Sequence, residues 1–226
     1  MAILNGGSFN QMARRRTDDK RQRILQAAVK VLAKKGYHRA KVSEIARRAD
    51  VADGTIYLYF RNKEDILVSL FDEVMAEHLA QGRAELEGVT GAPARLLAVA
   101  RHHLRLLGSN RDLAVVFQVE LRQSTQFMER FTASWLQDYF ALIAEIIEQG
   151  QREGTLRADL PVKVATKAFF GVLDEMVTSW ILSRKQYDLV ALAGPVVDLF
   201  LRGAGGPRPA REARPPLRAV AGGRKR

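Results

Sequence analysis

The chain has 226 residues, 47% hydrophobic and 8% aromatic, which is enough to bury a substantial core and too apolar for disorder throughout. It has no cysteine, no uninterrupted apolar run of about eighteen residues and no signal-peptide pattern, so the expectation is a cytoplasmic chain without a membrane span. The net charge of +11 is unevenly placed: +8 over residues 1–65, −4 over 66–201 and +7 over 202–226. A basic segment of this kind is the electrostatic footprint of nucleic-acid binding, with a merely solvated charged surface as the bland alternative.

Taken in chain order, residues 1–16 read as a disordered basic arm. Thr17 followed by Asp18 and Asp19 predicts a helix start, because a cap oxygen and two carboxylates meet the unpaired N–H groups there. Ile24, Ala27, Ala28, Val31 and Leu32 then fall on one helical face, and Gly36 ends the helix. Ser43 is expected to cap a second helix that turns Ile45, Ala46 and Ala49 inward. Asp50 to Ala52 reads as a tight turn, and Asp53 to Tyr59 as a further short helix. Asn62, three residues before Asp65, predicts the start of a long helix running to about Leu86.

Beyond Gly91-Ala92-Pro93, "ARLLAVARHHLRLL" predicts a helix closed by Gly108. The short segment "RDLAVVFQVEL" leads into a long helix from about Gln126 to Gln151. Further helices are expected from Pro161 to about Ser183 and from Leu189 to Leu201. Residues 203–226 are rich in Gly, Pro and Arg and read as a disordered tail. No alternating strand pattern appears, so the fold class is all-α. The domain reading is a three-helix helix-turn-helix unit over residues 17–62, joined by a long helix to a ligand-binding and dimerisation domain over residues 63–202.

Helix, short helix, tight turn, short helix and long helix within about fifty residues is the arrangement of a helix-turn-helix DNA reader. Ile56 and Phe60, four apart, are expected to face Ile45 and the first helix. Thr55, Tyr57, Leu58 and Tyr59 spread over the remaining surface, where tyrosine hydroxyls can donate to phosphate. The candidate DNA contacts are Lys41, Ser43, Asp53, Gly54, Thr55, Tyr57, Leu58, Tyr59 and Lys63, the last as a point charge on phosphate. Asp53 is either a helix cap or a reader of cytosine N4, and the cap is favoured.

The stretch "VSEIARRADVADGTIYLYFRNKEDIL" resembles the DNA-binding signature of the TetR family of bacterial transcriptional repressors. "NKEDILVSLF", "VELRQS", "FFGVLDEMVTSW" and "YDLVAL" resemble that family's fatty-acid-degradation regulators, the FadR type, so the likeness runs from about Thr17 to Leu201. The resemblance implies an all-helical homodimer that reads a palindromic double-stranded operator, binds long-chain acyl-CoA as effector and then releases the DNA. The alternative it leaves open is a repressor of an efflux or other metabolic operon with a different hydrophobic ligand. The chain departs from the general pattern at Ala40, Asp50 and Ala52; Ala40 removes a hydroxyl that could bond phosphate, and Asp50, where the pattern has glycine, must take a turn position that favours positive φ.

For the ligand domain, core packing explains most of the apolar stripes. Phe127, Phe131 and Trp135, with Phe169 and Phe170 across from them, would line a tunnel for an alkyl chain, and Val99, Leu106, Phe117 and Leu173 join them as candidates. His103, Arg101, Arg105 and Arg122 could supply cations at a mouth, since arginine forks suit phosphates. Glu120 and Arg122 are a candidate buried pair. The dimer is expected from the last two helices, with Gly171, Trp180 and Val197 at the interface, closing a four-helix bundle across a two-fold axis. No nucleophile elbow, P-loop or zinc motif is present, and the adjacent His102 and His103 diverge by about 100° on a helix. The expectation is therefore no catalysis, no metal and no cofactor beyond the effector.

Overall fold

The computed structural model describes the backbone of residues 6–123 and 135–203, and every described regular element is helical. Helix α1 spans Gly6–Lys35, α2 Val42–Ala49, α3 Asp53–Ile56, α4 Lys63–Glu85, α5 Ala92–Gly108 and α6 Arg111–Val115. A π-helical turn, Val116–Glu120, and a 3-10 turn, Leu121–Gln123, continue α6. Helix α7 is Trp135–Arg152, α8 Val162–Leu182 and α9 Ala193–Arg202, the last entered through a 3-10 turn at Val190–Leu192. The all-α expectation holds.

Helix α1 is 30 residues long and starts at Gly6, not at Thr17. The reason is local: "QMARRRTDDKRQR" contains no Gly or Pro, so nothing separates the arm from the periodic segment, and Asp18 and Asp19 lie exposed in mid-helix. Ile24, Ala28 and Leu32 are fully buried on the inner face. The helix stops at Gly36, whose φ of 75° is the left-handed conformation a Cβ disfavours.

Helix α5 is central to the second unit, packed by α4, α7, α8 and α9. Leu96, Ala100 and Leu104 are wholly buried along it. Gly150 lets the end of α7 come against the start of α5. A Cβ there would lie 2.7 Å from Leu156 and 2.9 Å from Ala92, closer than packed carbons tolerate. The expected helix from Gln126 is described only from Trp135 onward, and residues 204–226 of the expected tail lie outside the described residues.

Candidate DNA-reading head and ligand cavity

In the head, Ile45, Ile56 and Phe60 have relative exposures of 2% or less. This burial fixes α3 on α1 and α2 and leaves its other side outward, with Tyr57 60% and Leu58 81% exposed. The helix-turn-helix tip thus carries two large apolar or aromatic side chains that its own fold leaves uncovered. Helix α3 itself is shorter than expected: it ends at Ile56, Tyr57 is its C-cap, and residues 57–59 continue as turn. The aromatic run is β-prone and holds helix poorly once Phe60 is anchored.

Asp50 takes φ 55° as the left-handed cap of α2. Arg23 holds it there, Nη2 donating to the Ala49 carbonyl at 2.5 Å and to the Asp50 carbonyl at 3.1 Å. The residue before α2 is Lys41, not Ser43: the Lys41 N–H donates to the Glu44 carboxylate at 3.3 Å, and Ser43 sits exposed in the first turn. A hydrogen bond from the Lys35 ammonium, followed by that backbone bond, holds the Glu44 carboxyl below its usual range. Asp53 is not a cap either. Ala52 is the N-cap of α3, without a side-chain bond, and the Asp53 carboxylate lies exposed in the first turn, beside the positive helix end. Asn62 does cap α4, accepting from Asp65 N at 2.8 Å.

Gly54 and Lys41 are exposed, Thr55 and Tyr59 half-buried, and the Tyr59 ring leans on Phe60 at 6.4 Å. Lys63 departs most from expectation. Its ammonium donates to the carbonyls of Tyr37 at 2.5 Å, Ala40 at 2.9 Å and His38 at 3.4 Å, and lies over the Tyr37 ring at 4.5 Å. Desolvation lowers its pKa from the ordinary lysine value. The head uses this charge to hold the loop between α1 and α2, which takes it away from the phosphate role the sequence suggested.

From the other side, the same loop is gripped by Glu120. This carboxylate is 4% exposed and accepts from the Tyr37 N–H at 2.6 Å. Glu120 is therefore not the partner of Arg122. Helical divergence separates the two: Arg122 Nη2 turns the other way to chelate Asp174, at 2.8 and 2.6 Å from its two oxygens. Residues 36–41 are thus clamped between the first residue of α4 and the π-helical turn.

That π-helical turn is also cavity wall. A cavity of about 100 Å³ is enclosed by Met75 and His78 of α4, by His103, Leu106 and Leu107 of α5, and by Phe117, Gln118, Leu121 and Arg122. Leu136 and Tyr139 of α7 and Phe170 and Asp174 of α8 complete it. The wall is apolar except at the His78 ring and at two hydrogen-bonded places. At one, Asp174 accepts from Arg122 and from Gln118 Nε2 at 2.8 Å. At the other, His103 Nδ1 lies 3.2 Å from the Tyr139 hydroxyl. Desolvation lowers the pKa of His78 to about 3 and that of His103 to about 4, so both are neutral imidazoles.

Of the ligand candidates, His103, Leu106, Phe117 and Arg122 line this cavity. Val99 lines a smaller hollow beside it with His102 and Tyr139. Phe169 is fully buried but faces α9, edge-on to Phe200 at 5.0 Å, and its neighbour Phe170 is the wall residue. Leu173, one turn on from Phe169, is fully buried in the protomer core and is not part of the wall. Trp135 is half-buried with Nε1 donating to Asp72 at 3.0 Å, and Leu136 takes the inward place. Phe127 and Phe131 lie outside the described residues. Arg105 pairs with Glu85 at 2.8 Å, while Arg101 is exposed with no carboxylate partner among the described residues.

The outer faces of α8 and α9 carry Val164, Val172 and Leu199, exposed by 58%, 36% and 55%, with Gly171 open between them. Trp180 and Val197 point into their own protomer instead: Trp180 Nε1 donates to the Tyr187 carbonyl at 3.1 Å under the Arg111 guanidinium, and Val197 is 4% exposed. The signal missed in sequence was phase, since Val164, Ala168, Gly171 and Val172 mark the opposite face of α8 from Phe169 and Trp180.

Two family models match successive parts of the chain. Residues 24–70 match the model for bacterial regulatory proteins of the tetR family, and residues 71–203 match that for the YsiA-like protein C-terminal region. The chain is 41% identical over 184 residues to the fatty acid metabolism regulator protein of Bacillus subtilis, covering 81% of this chain and 95% of that one. It superposes on the crystal structure of the B. subtilis transcriptional regulator FadR in complex with stearoyl-CoA with a TM-score of 0.77 at 40% identity, covering 81% of this chain and 99% of that one. The fatty acid degradation regulator FadR of Bacillus halodurans gives a TM-score of 0.76 at 40% identity, with the same coverages.

Proposed function

Because the chain belongs to the tetR family of bacterial regulatory proteins, we propose that it is a cytoplasmic homodimeric repressor of fatty-acid degradation genes. Long-chain acyl-CoA is the effector that releases it from a palindromic operator. The observation that carries the reading is the position of the cavity: its wall includes α4, which starts under the head, and the π-helical turn, which carries Glu120 to the Tyr37 N–H. The apolar lining suits an alkyl chain, and the same lining belongs to a fold shared with a regulator crystallised with stearoyl-CoA.

The residues divide the work. Tyr57, Leu58, Gly54 and Thr55 meet the DNA, with Lys41 on phosphate. Val164, Gly171, Val172 and Leu199 supply the self-complementary face of the dimer, because one protomer cannot read two half-sites. Arg122 is the cation on the cavity wall, and accepting a phosphorylated head group would require it to leave Asp174, as Arg105 would have to leave Glu85. Spreading the cavity displaces α4 and the π-helical turn together, and both hold the loop at residues 36–41. A small tilt of α4 then changes the separation of the two heads. The effector can shift the equilibrium only by its preference for the released form, with couplings of about 1 to 3 kcal/mol per site being ordinary.

The test is a DNA-release titration with long-chain acyl-CoA, free fatty acid and CoA alone. Release by the first only is expected. Equal release by free fatty acid would remove head-group recognition, and no release by acyl-CoA of any chain length would leave a repressor with a different ligand.

A further inference from the structure

The inner wall of the cavity holds two nitrogens that the protein itself leaves unused. His103 Nε2 and His78 Nδ1 are buried without a hydrogen-bond partner, on rings that meet edge to face at 6.3 Å. Both residues line the cavity. A buried polar atom without a partner is rare in a native protein and calls for a ligand or a water. Their neighbour His102 makes the contrast: its Nε2 donates to the His78 carbonyl at 2.9 Å and its Nδ1 faces Glu85 at 3.1 Å, so both its nitrogens are spent inside the fold.

The hydrogen-bond inventory fixes the proton on His103. Tyr139 is buried, and burial raises its pKa, so the phenol keeps its hydrogen. Among the described residues that hydroxyl has one partner, His103 Nδ1 at 3.2 Å. With the O–H donating to Nδ1, Nε2 carries the ring hydrogen and a single donor remains unserved. With the reverse tautomer, the phenolic hydrogen and the Nε2 lone pair would both be stranded. The first arrangement wastes less and leaves an N–H donor. Desolvation keeps the ring uncharged, so the donor is a neutral one across the physiological range. Across the cavity, Arg122 and Gln118 are oriented by Asp174, whereas His103 Nε2 is a buried donor on the wall with no partner at all.

We propose that His103 determines specificity for the acyl thioester: its Nε2–H donates to the thioester carbonyl oxygen of the effector, so the cavity distinguishes an acyl chain from an alkyl chain of the same length. The inference rests on the acyl-CoA reading above. Shape and apolarity alone cannot make this distinction, because a carbonyl and a methylene differ little in volume. A site with a committed donor rejects the ligand that lacks the acceptor.

The experiment compares stearoyl-CoA with its thioether analogue, in which a methylene replaces the carbonyl, by calorimetric titration of the full chain and by release of bound operator DNA. The wild-type protein is expected to bind the thioester about tenfold more tightly than the thioether. His103→Phe, which keeps the ring and removes both nitrogens, should narrow the ratio to about twofold or less while thermal unfolding stays cooperative. Tyr139→Phe frees Nδ1 to take the proton and should reduce the ratio in part, and it carries the comparison if His103→Phe does not fold. Equal wild-type affinities would overturn the assignment and return the orphan nitrogen to a water. Discrimination surviving in His103→Phe would overturn it too. Binding of neither compound by folded wild type would instead remove the acyl-CoA reading on which it rests.

Discussion

The head and the cavity wall treat buried polarity in opposite ways. In the head, Asn62 caps α4, Arg23 holds the strained Asp50, and Lys63 serves three carbonyls. Around the cavity, His78 Nδ1 and His103 Nε2 stay unpaired, and a π-helical turn interrupts the helix that carries Phe117 and Gln118. A satisfied, close-packed unit moves as one body. A wall that leaves polar atoms unserved and carries an irregular turn loses fewer contacts when it shifts, so a ligand can move it at lower cost. The head is thus the piece that is moved and the cavity wall the piece that yields.

The largest effect that could break this comparison is in the head. Phe60 is 2% exposed and anchors α3, so Phe60→Ala should cost about 3 to 5 kcal/mol. DNA binding should be lost at temperatures where acyl-CoA binding persists, measured by operator shift and calorimetry on the same sample. Loss of both together would mean that the two units unfold as one.

Next comes the acid limit of the wall. The folded pKa values of about 3 for His78 and about 4 for His103 lie below the ordinary 6.5. An unfolded chain therefore takes up protons that the folded one refuses. Stability is whole above about pH 6.5 and is lost as pH falls toward the folded values, by up to about 1.4 kcal/mol per pH unit for each histidine. Urea midpoints between pH 7 and 4.5 should fall in this window, and His78→Phe should flatten the slope. A slope unchanged by that substitution would place the proton uptake elsewhere.

A smaller effect tests the link itself. Glu120→Gln keeps the shape of the acceptor of the Tyr37 N–H and removes its charge. Operator affinity without ligand and ligand affinity without DNA should each stay within about twofold, while the effector's influence on DNA affinity drops by about 1 kcal/mol, roughly fivefold. Unchanged coupling would leave α4 as the sole route.

How far the sequence could be read follows the same division. Helix periodicity, Gly36, Asp50 and Asn62 are local signals, written in residues whose backbone or capping chemistry has few alternatives, and the structure agrees with each. Assigning Ile56 and Phe60 to the core needed only their spacing. Partner choice is another matter. Glu120 reaches Tyr37 across 83 positions of sequence, Arg122 reaches Asp174 across 52, and Lys63 reaches back to residues 37–40. No periodicity encodes such distances, and a lysine at a helix start reads as free charge until the loop it holds is seen. Phe169 and Phe170 make the same point at one residue's resolution. Both are aromatic on one helix, yet a 100° turn sends the first to Phe200 and the second to the cavity.

The finest test separates the two lysines at the head. Lys41 is exposed at the start of α2, and Lys63 is turned inward onto carbonyls. A cation that neutralises a phosphate releases a condensed counterion, so its loss lowers the slope of log affinity against log salt by about 0.9. Lys41→Met should therefore weaken binding to operator and random DNA alike and reduce that slope. Lys63→Met strands three carbonyls, and its effect should appear as a lower melting temperature with the slope unaltered. Measuring both variants at several salt concentrations keeps the two readings apart, because a general loss of folding lowers affinity without changing the number of ions released. If Lys63→Met reduces the slope as Lys41→Met does, the ammonium leaves its carbonyls on DNA, and the head is less settled than its hydrogen bonds imply.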